Sequence, residues 1–109
     1  MSASTKRIAV LVSGGGTNLQ ALLDAQARGE LGGGEIAAVI SSTPGAYALE
    51  RAKAAGVPDR YTLPRKDFAS PQHYTQAMVE LLKDRVTPDL VVMAGFLVIL
   101  TREMVEAFP

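Results

Sequence analysis

A run of glycines follows directly on an apolar segment near the start of the chain. Residues 8–12 are all apolar, and the sequence SGGGTNLQ occupies positions 13–20. This pattern predicts a buried strand, a tight turn and a helix whose first N–H groups have no partner within the helix. Glycines leave the backbone open to a ligand, and the helix dipole adds about half a positive charge at that end. The run therefore predicts an anion site that a phosphate fits.

Two side chains at this turn strengthen that interpretation. Thr17 and Asn18 carry a hydroxyl and an amide, and both groups can donate hydrogen bonds to phosphate oxygens. The alternative is a glycine turn that only links the strand to the helix. The two donors disfavour that alternative, which stays open at this point.

The glycine run departs from the common nucleotide-binding motifs. A dinucleotide fingerprint needs glycine or alanine where this chain has Leu19, and an acidic residue where residues 41–43 are Ser-Ser-Thr. NADP meets the same objection at Leu19, and Arg51 is the only cation nearby in the sequence. A Walker A loop needs Lys-Ser or Lys-Thr after the glycines. NAD, NADP and ATP hydrolysis are all disfavoured.

Apolar runs alternate with segments of helical period along the chain, and this alternation predicts βαβ units. We expect strands at 7–12, 35–41, 60–63 and 90–96, and helices at 18–28, at 46–55 and from Ser70 onward. Right-handed crossovers then predict an α/β fold, a Rossmann-like parallel sheet of strand order 3-2-1-4 with helices on both faces. The loops after the first and last strands should flank one crevice, where such folds bind ligands.

The apolar pattern also predicts which residues face the core. In the second helix we expect Leu49 and Ala52 to point inward, and Ser70 and Pro71 to begin the third helix. The core stripe of the third helix is predicted to be Tyr74, Ala77, Met78, Leu81 and Leu82. The third strand should lie at an edge of the sheet, whereas the last strand should be central because it is apolar throughout.

Several other features have two interpretations. The segment GFLVIL at 95–100 fits either the core or an apolar wall for a flat heterocycle that hydrogen-bonds the main chain. His73 lies off the core stripe and is predicted to be solvated, without a catalytic role. The charged residues at 51, 53 and 83–85 are predicted to be solvated helix faces.

Composition limits the function classes. The 109 residues are 48% hydrophobic, which is enough for one domain, and 11 basic residues balance 11 acidic ones. This balance argues against a nucleic-acid or membrane partner. The chain has no cysteine and one histidine, which argues against a metal site. No signal peptide or membrane span is recognisable, so we expect a cytoplasmic protein with a small-molecule partner, as a monomer or homodimer.

The final residues predict a helix that stops early. Residues 101–109 start with Thr101 as a candidate N-cap and finish on an apolar pair without a polar tail. A natural terminus packed on the core is one interpretation, and a truncated chain is the favoured one.

Two motifs together resemble a known family. The run SGGGTNLQ at 13–20 and the run DLVVMAGF at 89–96 are similar to those of the phosphoribosylglycinamide formyltransferases, and ALERA at 48–52 also fits that family. The resemblance covers the whole chain and implies the amino-terminal half of such an enzyme. That family transfers a formyl group from 10-formyltetrahydrofolate to glycinamide ribonucleotide in purine synthesis, without a metal. Its catalytic Asn, His and Asp fall beyond Pro109, so the resemblance implies no catalytic residue within these 109 residues.

The same resemblance implies which residues bind the two reactants. Gly16, Thr17 and Asn18 would hold the phosphate of the ribonucleotide. The folate would bind along one segment with two further residues lining its pocket, a set made of Leu97, Val98, Ile99, Leu100, Met93 and Val105. Val98 stands where family members often carry a basic residue, so the resemblance implies no side-chain contact to the folate at that position.

Three alternatives stay open at this point. Methionyl-tRNA formyltransferase shares the fold but typically has Thr-Pro after the glycine of its first loop, and formyltetrahydrofolate deformylase lacks the glycine run. A phosphate-binding or interaction module without any catalytic half is the alternative from another class.

Overall fold

The computed structural model of the protein describes residues 6–96 and 100–107. Four parallel strands form one sheet in the order β3-β2-β1-β4, which confirms the predicted fold class and strand order. The strands are β1 (Lys6–Val12), β2 (Gly34–Ser41), β3 (Asp59–Thr62) and β4 (Leu90–Met93). The two inner strands, β1 and β2, are buried along their whole length except for their first two residues.

Four α-helices connect or follow the strands. They are α1 (Thr17–Ala27), α2 (Tyr47–Ala54), α3 (Pro71–Leu81) and α4 (Arg102–Ala107). The predicted start of α3 is confirmed, because the Ser70 side chain accepts a hydrogen bond from the His73 N–H at 3.2 Å and proline follows the cap. After α3 the chain makes a π-helical turn at Leu82–Val86, which the sequence pattern did not predict. Thr87, with a φ of 50°, ends that turn.

Each face of the sheet has its own apolar core. On one face Val10 and Val12 of β1 pack with buried residues of α1 and α2. On the other face Ala9 and Leu11 pack with Tyr74 and other residues of α3, and with residues of the π-helical turn and α4. The alternation along β1 thus covers both sheet faces with helices, as a doubly wound fold requires.

The prediction that the last strand is central was wrong. β4 lies at an edge of the described sheet and ends at Met93, two residues before Gly95, whose φ of 70° breaks the extended backbone. Leu90 and Met93 are 53% and 59% exposed. An apolar strand sequence indicates that both faces of the strand are covered. Whether the strand lies at the centre or at an edge of the sheet depends on which strands pair with it.

The predicted inward residues are confirmed only in part. In α2, Ala48 and Ala52 are buried whereas Leu49 is half-buried, because Ala48 lies against the glycine loop. Of the stripe predicted for the third helix, Tyr74 and Met78 in α3 and Leu82 in the π-helical turn are buried, whereas Ala77 and Leu81 are half-buried. Thr75 is buried as well, which the apolar pattern did not indicate. Its hydroxyl donates to the Pro71 carbonyl at 2.7 Å and accepts from the Thr101 N–H at 2.9 Å, so it ties α3 to the start of α4.

In the described part of the chain, every helix is too short or too polar to cross a bilayer.

Tyr74 joins α3 to the loop after β3. Its ring is fully buried and packs edge-on against Phe68 with the centroids 5.3 Å apart, and its hydroxyl donates to the Leu63 carbonyl at 2.7 Å. Burial raises the pKa of Tyr74 from 10.0 to about 12, and the nearby Arg65 cation opposes that shift. The folded protein therefore retains the Tyr74 proton at a pH where the unfolded chain has lost it.

We predict that the free energy of unfolding declines between about pH 10 and pH 12 in part because of Tyr74. Its folded-state pKa is raised, so its stabilising contribution is complete below the unfolded pKa and is lost as the pH rises through the folded value. Tyr74→Phe should cost roughly 1–2 kcal/mol at neutral pH, because the Leu63 carbonyl, on a half-buried residue, loses its donor, and should flatten the alkaline decline. Urea unfolding at several pH values measures both effects. Tyr61→Phe is the control, and an equally steep decline in Tyr74→Phe would contradict the assignment.

Candidate functional site

The loops after β1 and β4 lie side by side at one end of the sheet. Leu11 of β1 is paired with Met93 of β4, so both strands end at the same level and their loops leave together. A cavity of about 150 Å³ lies between the loops, lined by Gly14, Gly15, Gly16, Thr17, Asn18, Ala94 and Gly95. The crevice predicted at the reversal of strand order is therefore confirmed.

The first turn of α1 is not capped by any described side chain. Gly16 occupies the N-cap position, and its carbonyl accepts the first helical hydrogen bond from the Gln20 N–H at 2.7 Å. Within residues 6–96 and 100–107, the amides of Thr17 and Asn18 donate to no protein acceptor, and the first turn holds no acidic residue. The positive end of the helix dipole therefore faces the cavity without compensation by a carboxylate.

Hydroxyl groups at the end of β2 hold the start of the glycine loop. The Thr43 hydroxyl donates to the Ser13 carbonyl at 2.6 Å, and the Ser13 and Ser42 hydroxyl oxygens lie 2.8 Å apart in a hydrogen bond. The Ser42 N–H donates to the Val12 carbonyl at 2.9 Å. These are the positions where a dinucleotide-binding protein would carry its acidic residue. Here they orient the loop instead.

Gly16 lines the cavity and also packs closely against α2. A Cβ atom at Gly16 would lie 2.7 Å from the Cβ and 2.8 Å from the Cα of Ala48, and the φ of Gly16 is 85°. Glycine is therefore required at this position by close packing and by a left-handed backbone. The view that all three glycines keep Cβ atoms away from a ligand was wrong for Gly16.

Gly14 and Gly15 have the open surroundings that the sequence predicted for the whole run. A Cβ atom added at either residue would meet nothing within 4 Å. On the opposite side of the cavity, a Cβ atom at Gly95 would lie 3.5 Å from Asn18 Nδ2, so the Asn18 amide reaches towards the second loop. The backbone at Gly14 and Gly15 is accessible to a ligand that enters from solvent.

The prediction of a solvated Arg51 was wrong. Its Nε donates to the Gly15 carbonyl at 2.8 Å and its Nη1 donates to Gln20 Oε1 at 3.1 Å, so the side chain spans from α2 to the glycine loop. Lys53 on the same helix is exposed, as expected. No local pattern in the sequence indicated this contact, because Arg51 and Gly15 lie 36 positions apart.

Only part of the expected folate segment can be placed. Leu97, Val98 and Ile99 lie outside the described residues, and Leu100 is half-buried against the core that contains Tyr74. Met93 and Val105 lie together as expected. They are 59% and 68% exposed, and they line an apolar hollow of about 120 Å³ together with Val91 and Met104. This hollow is separate from the cavity at the glycine loop.

A larger hollow lies elsewhere but lacks the features of a binding site. It measures about 380 Å³ and is a shallow groove between β3 and the end of α3, lined by Tyr61, Ala77, Glu80, Leu81, Asp84 and Arg85. Its charged residues are exposed, and no helix N-terminus opens into it. The smaller cavity at the glycine loop is the better candidate because backbone donors converge there.

The cavity can bind and orient an anion, but its lining supplies no group for proton transfer. Its described residues are glycines, Ala94, Thr17 and Asn18. His73 is exposed on α3, where its Nδ1 lies 3.0 Å from the Ser70 hydroxyl, so it does not face the cavity. Within the described residues there is no group of three or more His, Cys, Asp or Glu side chains that could hold a metal ion.

We predict unequal effects on stability at two neighbouring glycines. Gly16→Ala should lower the free energy of unfolding by about 2 kcal/mol or more, because it adds a clash with the Ala48 backbone to the cost of a left-handed conformation. Gly15→Ala is the matched control and should change stability by less than about 0.5 kcal/mol. Urea unfolding of both variants measures the difference. Equal stabilities would show that α2 does not require glycine at position 16.

Comparisons with known proteins agree with this fold. The profile of the family described as "Formyl transferase" matches residues 6–109. The chain is 42% identical to the phosphoribosylglycinamide formyltransferase of Haemophilus influenzae, covering 94% of this chain and 47% of that protein. It is 41% identical to the trifunctional purine biosynthetic protein adenosine-3 of Drosophila melanogaster, covering 97% of this chain and 8% of that protein.

A solved structure shows the same relation. The chain matches glycinamide ribonucleotide transformylase 1 from Symbiobacterium toebii with a TM-score of 0.87 and 41% identity, over 96% of this chain and 48% of that one. The chain therefore spans about half the length of the single-function relatives that it matches. The extent of the family match and the shared fold together show that this chain belongs to the formyl transferase family.

Proposed function

We propose that this chain provides the substrate-positioning part of a phosphoribosylglycinamide formyltransferase. In this proposal the cavity at the glycine loop binds the phosphate of glycinamide ribonucleotide, through the backbone at Gly16 and the backbone and side chains of Thr17 and Asn18. The formyl donor is 10-formyltetrahydrofolate. The described cavity lining holds no group for proton transfer, so in this proposal such groups come from the part of the relatives' length that this chain does not span.

One observation carries the proposal. Unpaired amides at the start of α1, without a carboxylate in the first turn, converge on a cavity at the reversal of strand order. A phosphate monoester carries about two negative charges and several acceptor oxygens, so it satisfies several amides at once. A carboxylate or a neutral ligand would satisfy fewer of them.

The reaction explains why positioning alone is useful. The amine of glycinamide ribonucleotide attacks the formyl carbon of the folate, the bond from that carbon to the folate nitrogen breaks, and the proton lost by the amine balances the one gained by the folate. The amine and the formyl carbon must be held next to each other for this attack. Correct placement can contribute several kcal/mol to the lowering of such a barrier. An anchored phosphate fixes one end of the ribonucleotide and directs its amine away from α1.

The apolar hollow at Met93 and Val105 supports the proposal that the folate binds there. Met93 and Val105 are exposed, apolar and adjacent, and the hollow that they share with Val91 and Met104 has the chemistry of a surface for one face of a flat heteroaromatic ring. Leu100 follows in the chain, and we propose that backbone groups of residues 97–100 hydrogen-bond the ring. The residues present therefore fit the group, and the folate supplies the formyl carbon when it is bound.

Asn18→Ala tests the phosphate site. We expect the affinity for glycinamide ribonucleotide to fall about tenfold in calorimetric titration, since one amide donor to the phosphate is lost. Asn18 is exposed, so the unfolding midpoint should not change. Gln76→Ala removes an exposed side-chain amide on α3 and is the matched control. Glycinamide riboside, which lacks the phosphate, should bind the unchanged chain and the Asn18 variant equally weakly. If the two proteins bound the ribonucleotide with equal affinity, that result would contradict the site.

Met93→Gln tests the folate surface. The substitution keeps the length of the side chain and makes it polar, so we expect the affinity for a stable 10-formyltetrahydrofolate analogue to fall roughly fivefold. Leu90→Gln makes a similar change on the same strand, 53% exposed but outside the hollow, and should leave that affinity unchanged. Fluorescence titration measures both variants. A loss in both, or in neither, would place the folate elsewhere.

A further inference from the structure

We infer that Arg51 is a positioning residue for the anion site, because it holds the Gly15 carbonyl on the α2 side of the loop and so turns the Gly16 N–H towards the cavity. This inference rests on the proposed phosphate site and assigns a role to a residue outside it. Arg51 does not line the cavity, so its role is to orient the loop and not to contact the ligand.

Three contacts fix the guanidinium group of Arg51. Its Nε donates to the Gly15 carbonyl at 2.8 Å, and its Nη1 donates to Gln20 Oε1 at 3.1 Å. Its central carbon lies 4.9 Å from the centroid of the Tyr47 ring, in a cation–π contact. The side chain is thereby held between its own helix, the glycine loop and α1.

The hydrogen bond from Arg51 to the Gly15 carbonyl also sets the direction of the Gly16 N–H, because both groups belong to one peptide unit. The unit is trans, so its carbonyl oxygen and its N–H point in opposite directions. Because Arg51 holds the carbonyl of Gly15 on the side of α2, the N–H of Gly16 must point to the other side. No residue of α2 lines the cavity, whereas Gly15, Gly16 and Thr17 do. The Gly16 N–H therefore joins the Thr17 and Asn18 amides as a third backbone donor.

The absence of a side chain at Gly16 makes this contact possible. A Cβ atom there would lie 3.2 Å from Arg51 Cδ, in addition to its clash with Ala48. Glycine at 16 therefore lets α2 approach the loop closely enough for Arg51 to reach the carbonyl of Gly15. Free glycine-rich backbone has a high conformational entropy, so an external hydrogen bond of this kind is needed to keep the loop in one orientation.

Two substitutions separate positioning from a general effect of charge. Arg51→Met removes the charge and both hydrogen bonds, while Arg51→Lys keeps the charge but replaces the planar fork by a single ammonium group. Lys53→Met is the control, because it removes the same charge from an exposed position of the same helix. Binding of glycinamide ribonucleotide, and of inorganic phosphate as a second probe, is measured by calorimetry well below the unfolding midpoint of each variant. In the ligand-free chain, the order of the Gly16 amide is measured by 15N relaxation.

We expect Arg51→Met and Arg51→Lys each to lower the affinity for the ribonucleotide about tenfold, and Lys53→Met to leave it within about twofold. We also expect a less ordered Gly16 amide in both Arg51 variants without ligand, while the amides of α2 stay unchanged. A lysine variant that binds as tightly as the original chain, with an unchanged Gly16 amide, would overturn the positioning role. If the original chain binds phosphate but not the ribonucleotide, the proposed function fails, and the Gly16 amide and phosphate affinity still decide the role of Arg51.

Discussion

The proposed anion site depends on one close contact, between the backbone of Gly16 and the side of α2. Ala48 is fully buried beneath this loop, and both positions must be small for the two segments to approach. The contact sets the height of the loop above the sheet, and with it the direction in which α1 begins. If either residue carried a larger side chain, the loop would have to move outward, and the amides at the start of α1 would move with it.

The electrostatics of the site follow from what is missing at the start of α1 as well as from what is present. The first turn has no carboxylate and no side-chain cap among the described residues, so its dipole and amides are not satisfied by the protein. An ordinary helix start would be stabilised by Ser, Asp or Glu at this point. The start of α1 has none of these residues, whereas α3 begins with an ordinary cap, in which the Ser70 side chain accepts a hydrogen bond from the His73 N–H. The two helix starts therefore differ in whether a protein side chain satisfies one of their amides.

The family assignment and the local chemistry support each other at different levels. The match over residues 6–109 shows membership of the formyl transferase family, and the glycine loop explains in physical terms how a member could anchor a phosphate. The apolar hollow at Met93 and Val105 lies apart from the glycine loop, which is consistent with two reactants and two kinds of surface. In the proposed function, one surface offers amides to an anion, and the other offers methyl and thioether groups to an aromatic ring.

The order of strands, the crevice and the glycine turn before α1 could all be predicted from the sequence, because periodicity and glycine placement are local properties with a direct structural meaning. Three features depended on long-range packing and could not. Arg51 looks like a surface cation in the sequence, and only the approach of α2 to the loop brings its Nε to the Gly15 carbonyl, 36 positions away. Gly16 looks like a ligand-facing glycine, and only the tertiary contact with Ala48 shows what its missing Cβ accommodates. β4 looks central because it is apolar, but its place at the edge depends on which strands are present to pair with it.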